Sequence, residues 1–587
     1  MKKHYETHVE DTDKLISVAG PVLDYKSWYE QYRKLMEEQA QRKYGLYTPT
    51  SEGDDDDFPS IPGITARYSA LGLTNEQMAA NPVWKNLTGN GHDLQMKNFS
   101  WKGMSGVGGY VGDFSKWVNN RDTTEIGITK SNSKVIIDVK VSQGSGKNIV
   151  FISKSNLGIS NNVTIKITST YPEGVMKFAN SASNKYLKLP SNGIITLQDN
   201  PEYTSNEMHL HLASADLGQI TIEQLPLYPG ALVFDGVDDY GTCNNFPILT
   251  KEKGYTVVAL RQWITRGEIA QGLVSNVKNW LKDGAFLLEY RNIQADHLNK
   301  PISFGAIGSE MDLPHILTYQ TSKSYNGVSI TTGNFEGTDV LHVGKLAPTN
   351  VGTCINAAIW ELVFLDHDAT EEELTKIKDY FIKTYPWLFP NQAWTVTGKT
   401  NQDEDRATIA NITGNGNDLV LSNFGFIEGS GYNEEGEYAG YLVTDGVDDK
   451  IVSSVFGMGK DFTIVGDWKF IDNKKSGTGL VKGSSFYIYN TMTGLDLYIN
   501  SGSVTNRFDG IKSINAACSD GRVYDPNWDE ILANTGNVVG SGGMLEVSSS
   551  GGRFDRIAFK NLAIYPRILS KDDCIKAYNY LQTLKSK

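Results

Sequence analysis

The sequence predicts a mainly β protein of several domains, one of which occurs twice. Three observations carry that expectation. The chain has 587 residues, more than one hydrophobic core serves, and its length points to about three to five domains. Gly (58) and Tyr (29) are abundant while charged residues make up 21%, a balance that suits short strands and tight turns better than long solvated helices. Finally, several distinctive stretches recur in the same order.

Taken from the N-terminus, residues 25–44 read as a helix, with Asp24 as N-cap and Gly45 in the C′ position. Trp28, Tyr29, Tyr32, Leu35 and Met36 share one face at helical spacing. Residues 48–63, with Asp54 to Asp57 in a row, read as an acidic linker. A tethered helix has no core of its own to cover such a face. The face is expected to bury itself on a partner or symmetry mate, through Trp28, Tyr29, Tyr32 and Met36, or to pack back on the first β domain.

The body of the chain repeats. Asn86-Leu-Thr-Gly-Asn-Gly-His-Asp-Leu94 returns as Asn411-Ile-Thr-Gly-Asn-Gly-Asn-Asp-Leu419, an offset of 325. Phe234-Asp-Gly-Val-Asp-Asp-Tyr240 returns as Thr444-Asp-Gly-Val-Asp-Asp-Lys450, an offset of 210. Glu361-Leu-Val-Phe-Leu365 returns as Asn561-Leu-Ala-Ile-Tyr565, an offset of 200. The fall from 325 to 210 means that copy one carries about 115 extra residues between its first two landmarks. The runs in 134–141, 148–152, 163–167 and 219–223 alternate or are β-branched, with turn residues between them, which predicts an inserted immunoglobulin-like sandwich over 115–228.

The Asp-Gly-Val-Asp-Asp elements, and Asn561-Leu-Ala-Ile-Tyr-Pro-Arg-Ile-Leu-Ser570 leading into a short helix, resemble the concanavalin/laminin-G-like jelly-roll family. That resemblance implies two jelly-roll sandwiches covering about two thirds of the chain. The inserted segment resembles the small BACON-type sandwiches of gut Bacteroidetes and their phages. The block from Thr400 to Leu419, followed by Ser422-Asn-Phe-Gly-Phe426, resembles repeats in virion and adhesin-like proteins of crAss-like gut bacteriophages. The expected organisation is 1–47 helical anchor, 48–63 acidic linker, 64–114 with 229–388 first jelly roll, 115–228 insert, and 391–587 second jelly roll.

Composition narrows the partners. A net charge of −13 opposes a nucleic-acid groove, which needs a basic stripe, and opposes docking on an anionic membrane. Cys243, Cys354, Cys518 and Cys574 have neither zinc spacing nor a disulfide pattern and are expected as buried free thiols. Met1-Lys2-Lys3 leads into no apolar run, so no secretory signal is expected.

Chemistry-bearing patterns are few. Asp235, Asp238 and Asp239, with Asp445, Asp448 and Asp449, offer either Ca²⁺ ligands or turn caps, and the turn reading outweighs the metal. The alternating acid strand of jelly-roll glycosidases is missing, and Glu371, Glu372 and Glu373 belong to a solvent-facing capping box with Thr370 as N-cap. His92 is Asn417 in the other copy. His209 and His211 alternate on one strand face, where half-buried strand histidines outweigh a metal pair. Trp101, Trp117, Trp280, Trp468 and Trp528 are possible sugar platforms, though core burial is the better expectation for each. No catalytic residue, metal or cofactor is expected, and the glycan-binding residues stay unassigned.

Together with the absent secretory signal and the N-terminal helix and linker, the resemblance to virion proteins implies a non-enzymatic structural protein of a bacteriophage virion, expected as a head or tail fibre subunit assembled in the host cytoplasm. It would be held to other virion proteins by its N-terminal segment, form a homo-oligomer, and display its jelly rolls to host-surface or mucin glycans. The alternatives are a bacterial carbohydrate-binding surface protein and, below it, a glycoside hydrolase or lyase.

Overall fold

The described residues of the computed structural model run from 57 to 586, excluding several internal stretches of which 291–315 is the longest. The helix expected over 25–44, with Trp28, Tyr29, Tyr32 and Met36, lies outside them, as do residues 48–56 of the acidic stretch. The described chain is mainly β, and its large sheets face one another in three pairs.

In the first pair, strand Asn356–Leu365 is bordered by Thr256–Thr265 on one side and by Ile64–Ser69 and Leu232–Asp235 on the other. The facing sheet runs Val83–Trp84, Leu94–Lys97, Tyr240–Asn244, Val340–Val343, Gly272–Ser275, Leu287–Tyr290. Alternation turns one side of each strand inward: Leu94 and Met96 are buried while Gln95 and Lys97 are exposed. Tyr68, Trp84, Leu94, Phe234, Leu341 and Phe364 meet in the core between the sheets.

In the second pair the first sheet repeats the strand order of its counterpart, and the facing sheet has eight described strands where the first pair has six. Arg556–Tyr565 is bordered by Thr463–Asp472 on one side and by Gln392–Thr395 and Leu442–Val443 on the other. Even the irregularities correspond. Thr256–Thr265 bulges at Leu260/Arg261 and Trp263/Thr265, and Thr463–Asp472 bulges at Asp467/Trp468 and Phe470/Asp472. Bulges are positioned features rather than defects, so this correspondence is stronger than shared strand count.

The remaining pair, two five-stranded sheets, spans 118–224 around a core holding Trp117, Ile137, Ile165, Phe178 and Leu210. Its point of attachment is defined by register. Val107 pairs with Leu232 and Gly106 with Val233, just as Tyr432 pairs with Leu442 and Gly431 with Val443. Residues 433–441 close the second hairpin, and residues 108–231 stand in the same place on the first. The surplus is the 115 residues that the repeat offsets require. Sequence landmarks fix that length difference, and the last paired residues of the hairpin are Val107 and Leu232.

The closing helices Glu371–Thr384 and Lys571–Gln582 join the pieces. One hydrophobic cluster contains Ile194 of the insert, Val258, Trp360 and Phe381 of the first sandwich, and Val465, Trp528, Tyr578 and Tyr580 of the second. The end of the presumed linker belongs to it as well. Ile61 is buried, Phe58 packs edge-on to Tyr380 at 4.9 Å under the Arg67 guanidinium, and Asp57 pairs with Lys383. Residues 57–61 are therefore packed, because apolar Phe58 and Ile61 find a ready pocket beside the first closing helix.

Candidate functional site

The first repeated landmark builds a loop. Asn86 accepts from the amides of Arg67 and Thr88 and donates to Gly91 O, while its own amide bonds Asp93. Asn411, Thr413, Gly416 and Asp418 repeat the set. His92 and Asn417 both sit in left-handed backbone, φ 65° and 67°. That conformation favours Asn, which explains why the imidazole is dispensable. The carbonyls of His92 and Asn417 accept from Tyr68 and Trp394 respectively.

The Asp-Gly-Val-Asp-Asp elements also build turns. Asp235 Oδ1 accepts from Val237 N at 2.8 Å, Gly236 has φ 81°, and Asp239 takes Asp235 N at 3.0 Å and Ser105 Oγ at 3.0 Å. Asp445, Gly446, Val447, Asp449 and Ser430 reproduce these contacts. The three carboxylates in each turn lie within 4.8 Å of one another. Both oxygens of Asp239 accept hydrogen bonds from within the turn and its neighbour. Burial pushes Asp239 up to about 7, Asp235 adding to it against the Ser105 hydrogen bond. Burial likewise lifts Asp449 to about 6.

The other sequence candidates separate. Thr370 and Glu373 form the expected capping box, with Glu371 and Glu372 exposed. Glu373 differs from expectation: its carboxylate is partly buried between Thr370 N and His367. His209 and His211 lie on the outer face of strand Glu207–Leu212, whose Met208, Leu210 and Leu212 enter the core. His209 is buried and His211 half-buried. Trp117, Trp468 and Trp528 are core residues, Trp101 is half-buried on Phe99, and Trp280 lies outside the described residues. All four cysteines are buried free thiols.

Sequence reasoning missed a cleft. It has a volume of about 560 Å³ and is lined by Asn401, Gln402, Glu428, Tyr432, Glu434, Glu435 and Gly436, at the hairpin 433–441 of the second sandwich. Asn401 is committed to holding the hairpin, accepting from Tyr432 N and donating to Tyr432 O, both at 2.8 Å. Gln402, Glu428, Glu434 and Glu435 are exposed. Tyr432 is buried, its hydroxyl donating to Arg406 O and its ring stacked on Phe426. Asn75 holds Val107 in the same way in the first sandwich. There Gly103 stands where Glu428 does, and the root of the insert covers it: Tyr110 N donates to Gly103 O and Gly103 N to Asn132 Oδ1.

No family model matches the sequence, and no curated protein does. Similar solved structures include the Trypanosoma rangeli sialidase with the inhibitor DANA, at 9% identity, TM-score 0.25, covering 81% of this chain and 98% of that one. The same sialidase with sialic acid gives 11%, 0.21, 81% and 97%. The binding domain of botulinum neurotoxin serotype D gives 10%, 0.21, 59% and 89%. Similarity this low carries neither fold nor function across. Among the described residues no helix is long and apolar enough to cross a membrane.

Proposed function

We propose that this chain is a non-catalytic display and adhesion protein: a bacteriophage head or tail fibre subunit, held to other virion proteins by residues 1–47, whose two laminin-G-like jelly rolls present a glycan-binding surface. The observation that carries the adhesion reading is the cleft of the second sandwich, where Gln402 and three carboxylates stand exposed beside buried Tyr432, polar groups of the kind that orient hydroxylated ligands. The non-catalytic reading is supported by the grouped aspartates, whose carboxylates serve their own turns. The virion assignment rests on the sequence resemblance of the block from Thr400 to Phe426, and the two-jelly-roll organisation with its insert on the shared register and bulges. The test combines two measurements on the full chain. Mucin oligosaccharides should bind saturably and be recovered intact, and a chain lacking residues 1–47 should be missing from assembled particles. Accumulating reducing ends would make the protein an enzyme, and full incorporation of the truncated chain would move the attachment to a jelly roll.

A further inference from the structure

We propose that the outer face of strand Glu207–Leu212 in the insert binds a divalent transition ion of the zinc type, held by His209 and His211 with Glu207 as third ligand. Side chains two apart on a strand point to one side, and Met208, Leu210 and Leu212 enter the core of the insert. Glu207, His209 and His211 therefore stand in a row on the opposite side. At a rise of about 3.3 Å per residue, neighbours in that row are about 6.6 Å apart along the strand. Two imidazoles turned toward each other over that span can share one ion at bonds of about 2.0–2.1 Å.

By spacing alone, two half-buried histidines are the plainer reading; His209 itself tips the balance. It is 7% exposed, and neither of its ring nitrogens has a hydrogen-bond partner. A buried imidazole kept only for packing normally bonds through its ring N–H. The Glu207 carboxylate stands 3.5 Å from His209 Nε2 and brings the negative charge a cation needs. Lys177 is opposite His211 in register, but its ammonium lies 4.2 Å from the Tyr186 ring, on the strand beyond and away from the row. His342 is as buried and also lacks hydrogen bonds. Its charged neighbour is the cationic Lys345, however, and no second histidine stands two residues away. Two imidazoles and a carboxylate suit zinc rather than calcium, which takes six to eight oxygens. Three protein ligands leave one position of a tetrahedral ion open. The three donors are less tightly gathered than the carboxylates of the two Asp turns, so binding turns side chains inward as well as placing the ion.

The experiment titrates the full chain with zinc chloride by calorimetry, with calcium chloride in excess to compete at sites made of oxygen alone, beside single His209→Gln, His211→Gln and Glu207→Gln variants. The expected result is a zinc site that calcium does not displace, weakened at least about tenfold by either histidine substitution and less by Glu207→Gln. Glu207 is exposed and His211 half-buried, so their variants should melt like the wild type without zinc. Should His209→Gln fail to fold, His211→Gln decides alone. Zinc held elsewhere on the chain is indifferent to these substitutions. Binding unchanged by either histidine substitution in a folded variant, or no zinc bound by the wild-type chain, overturns the inference and leaves the adhesion reading untouched.

Discussion

At the scale of single residues, the two copies act as controls for each other. Arg67, buried, donates to Glu361 at 2.5 Å and to the Tyr380 hydroxyl. In the second sandwich strand register puts Ala393 and Asn561 in the places of Arg67 and Glu361. A buried pair is strongly destabilising only when half of it is removed. Glu361→Asn alone should therefore lower unfolding free energy by about 3–5 kcal/mol, and Arg67→Ala with Glu361→Asn should restore more than half of the loss. A double variant as unstable as the summed singles in denaturant titration would contradict this. Asp239 gives a pH signature. Its folded pKa, about 7, lies above the ordinary 3.8. Its contribution is thus fully present below pH 3.8 and is lost as pH rises through 7, on the order of 2–4 kcal/mol. Asp239→Asn should flatten the pH dependence of melting between 4 and 7 relative to wild type, whatever its constant offset; an unchanged slope would show Asp239 ionised throughout.

At the scale of elements, capping and hairpin register decide what matters. Glu371→Ala with Glu372→Ala should leave melting unchanged, since both side chains are exposed. Glu373→Ala should cost about 1 kcal/mol by losing the reciprocal bond to Thr370 N. A drop of similar size from the first pair, read by thermal melting, would mean they serve more than solvation. Much at this scale is legible in sequence. The capping box shows because its residues lie three apart, and the insert shows because repeat offsets count residues directly. The Asp turns show because Gly between acids requires left-handed backbone. The cleft does not, since it gathers residues from 401–402, 428 and 432–436 on loops without periodicity. The Arg67–Glu361 pair is equally silent at 294 residues' separation. Tryptophan burial is set by tertiary packing, so the five candidate platforms could not be sorted beforehand.

At the scale of the whole molecule, the insert is more than an appendage on a hairpin. Its Ile194 is buried in the cluster that also holds Trp528 and Tyr578 of the second sandwich. Ile194 N reaches Asn527 O, and the Tyr578 hydroxyl is shared between Asp467 and Thr196. The insert is therefore covalently rooted in the first sandwich and packed against the second. Replacing 108–231 by the second hairpin's own connection, 433–441, preserves the register that both hairpins share, so the first sandwich should fold. The second should lose a lid: Trp528 and Tyr578, in edge contact at 5.6 Å, would be exposed along one side. Burying an Ile is worth about 1.5–3 kcal/mol, so a loss of that order is expected in the second sandwich. Ile194→Ser in the intact chain should reproduce part of it without touching the hairpin. Calorimetry with hydrogen exchange reads both: protection around Trp528 and Tyr578 should fall while the strand Asn356–Leu365 stays protected. Loss of protection in Asn356–Leu365 instead would mean that the first sandwich depends on its insert to fold, and that the shared hairpin register is not sufficient to close it.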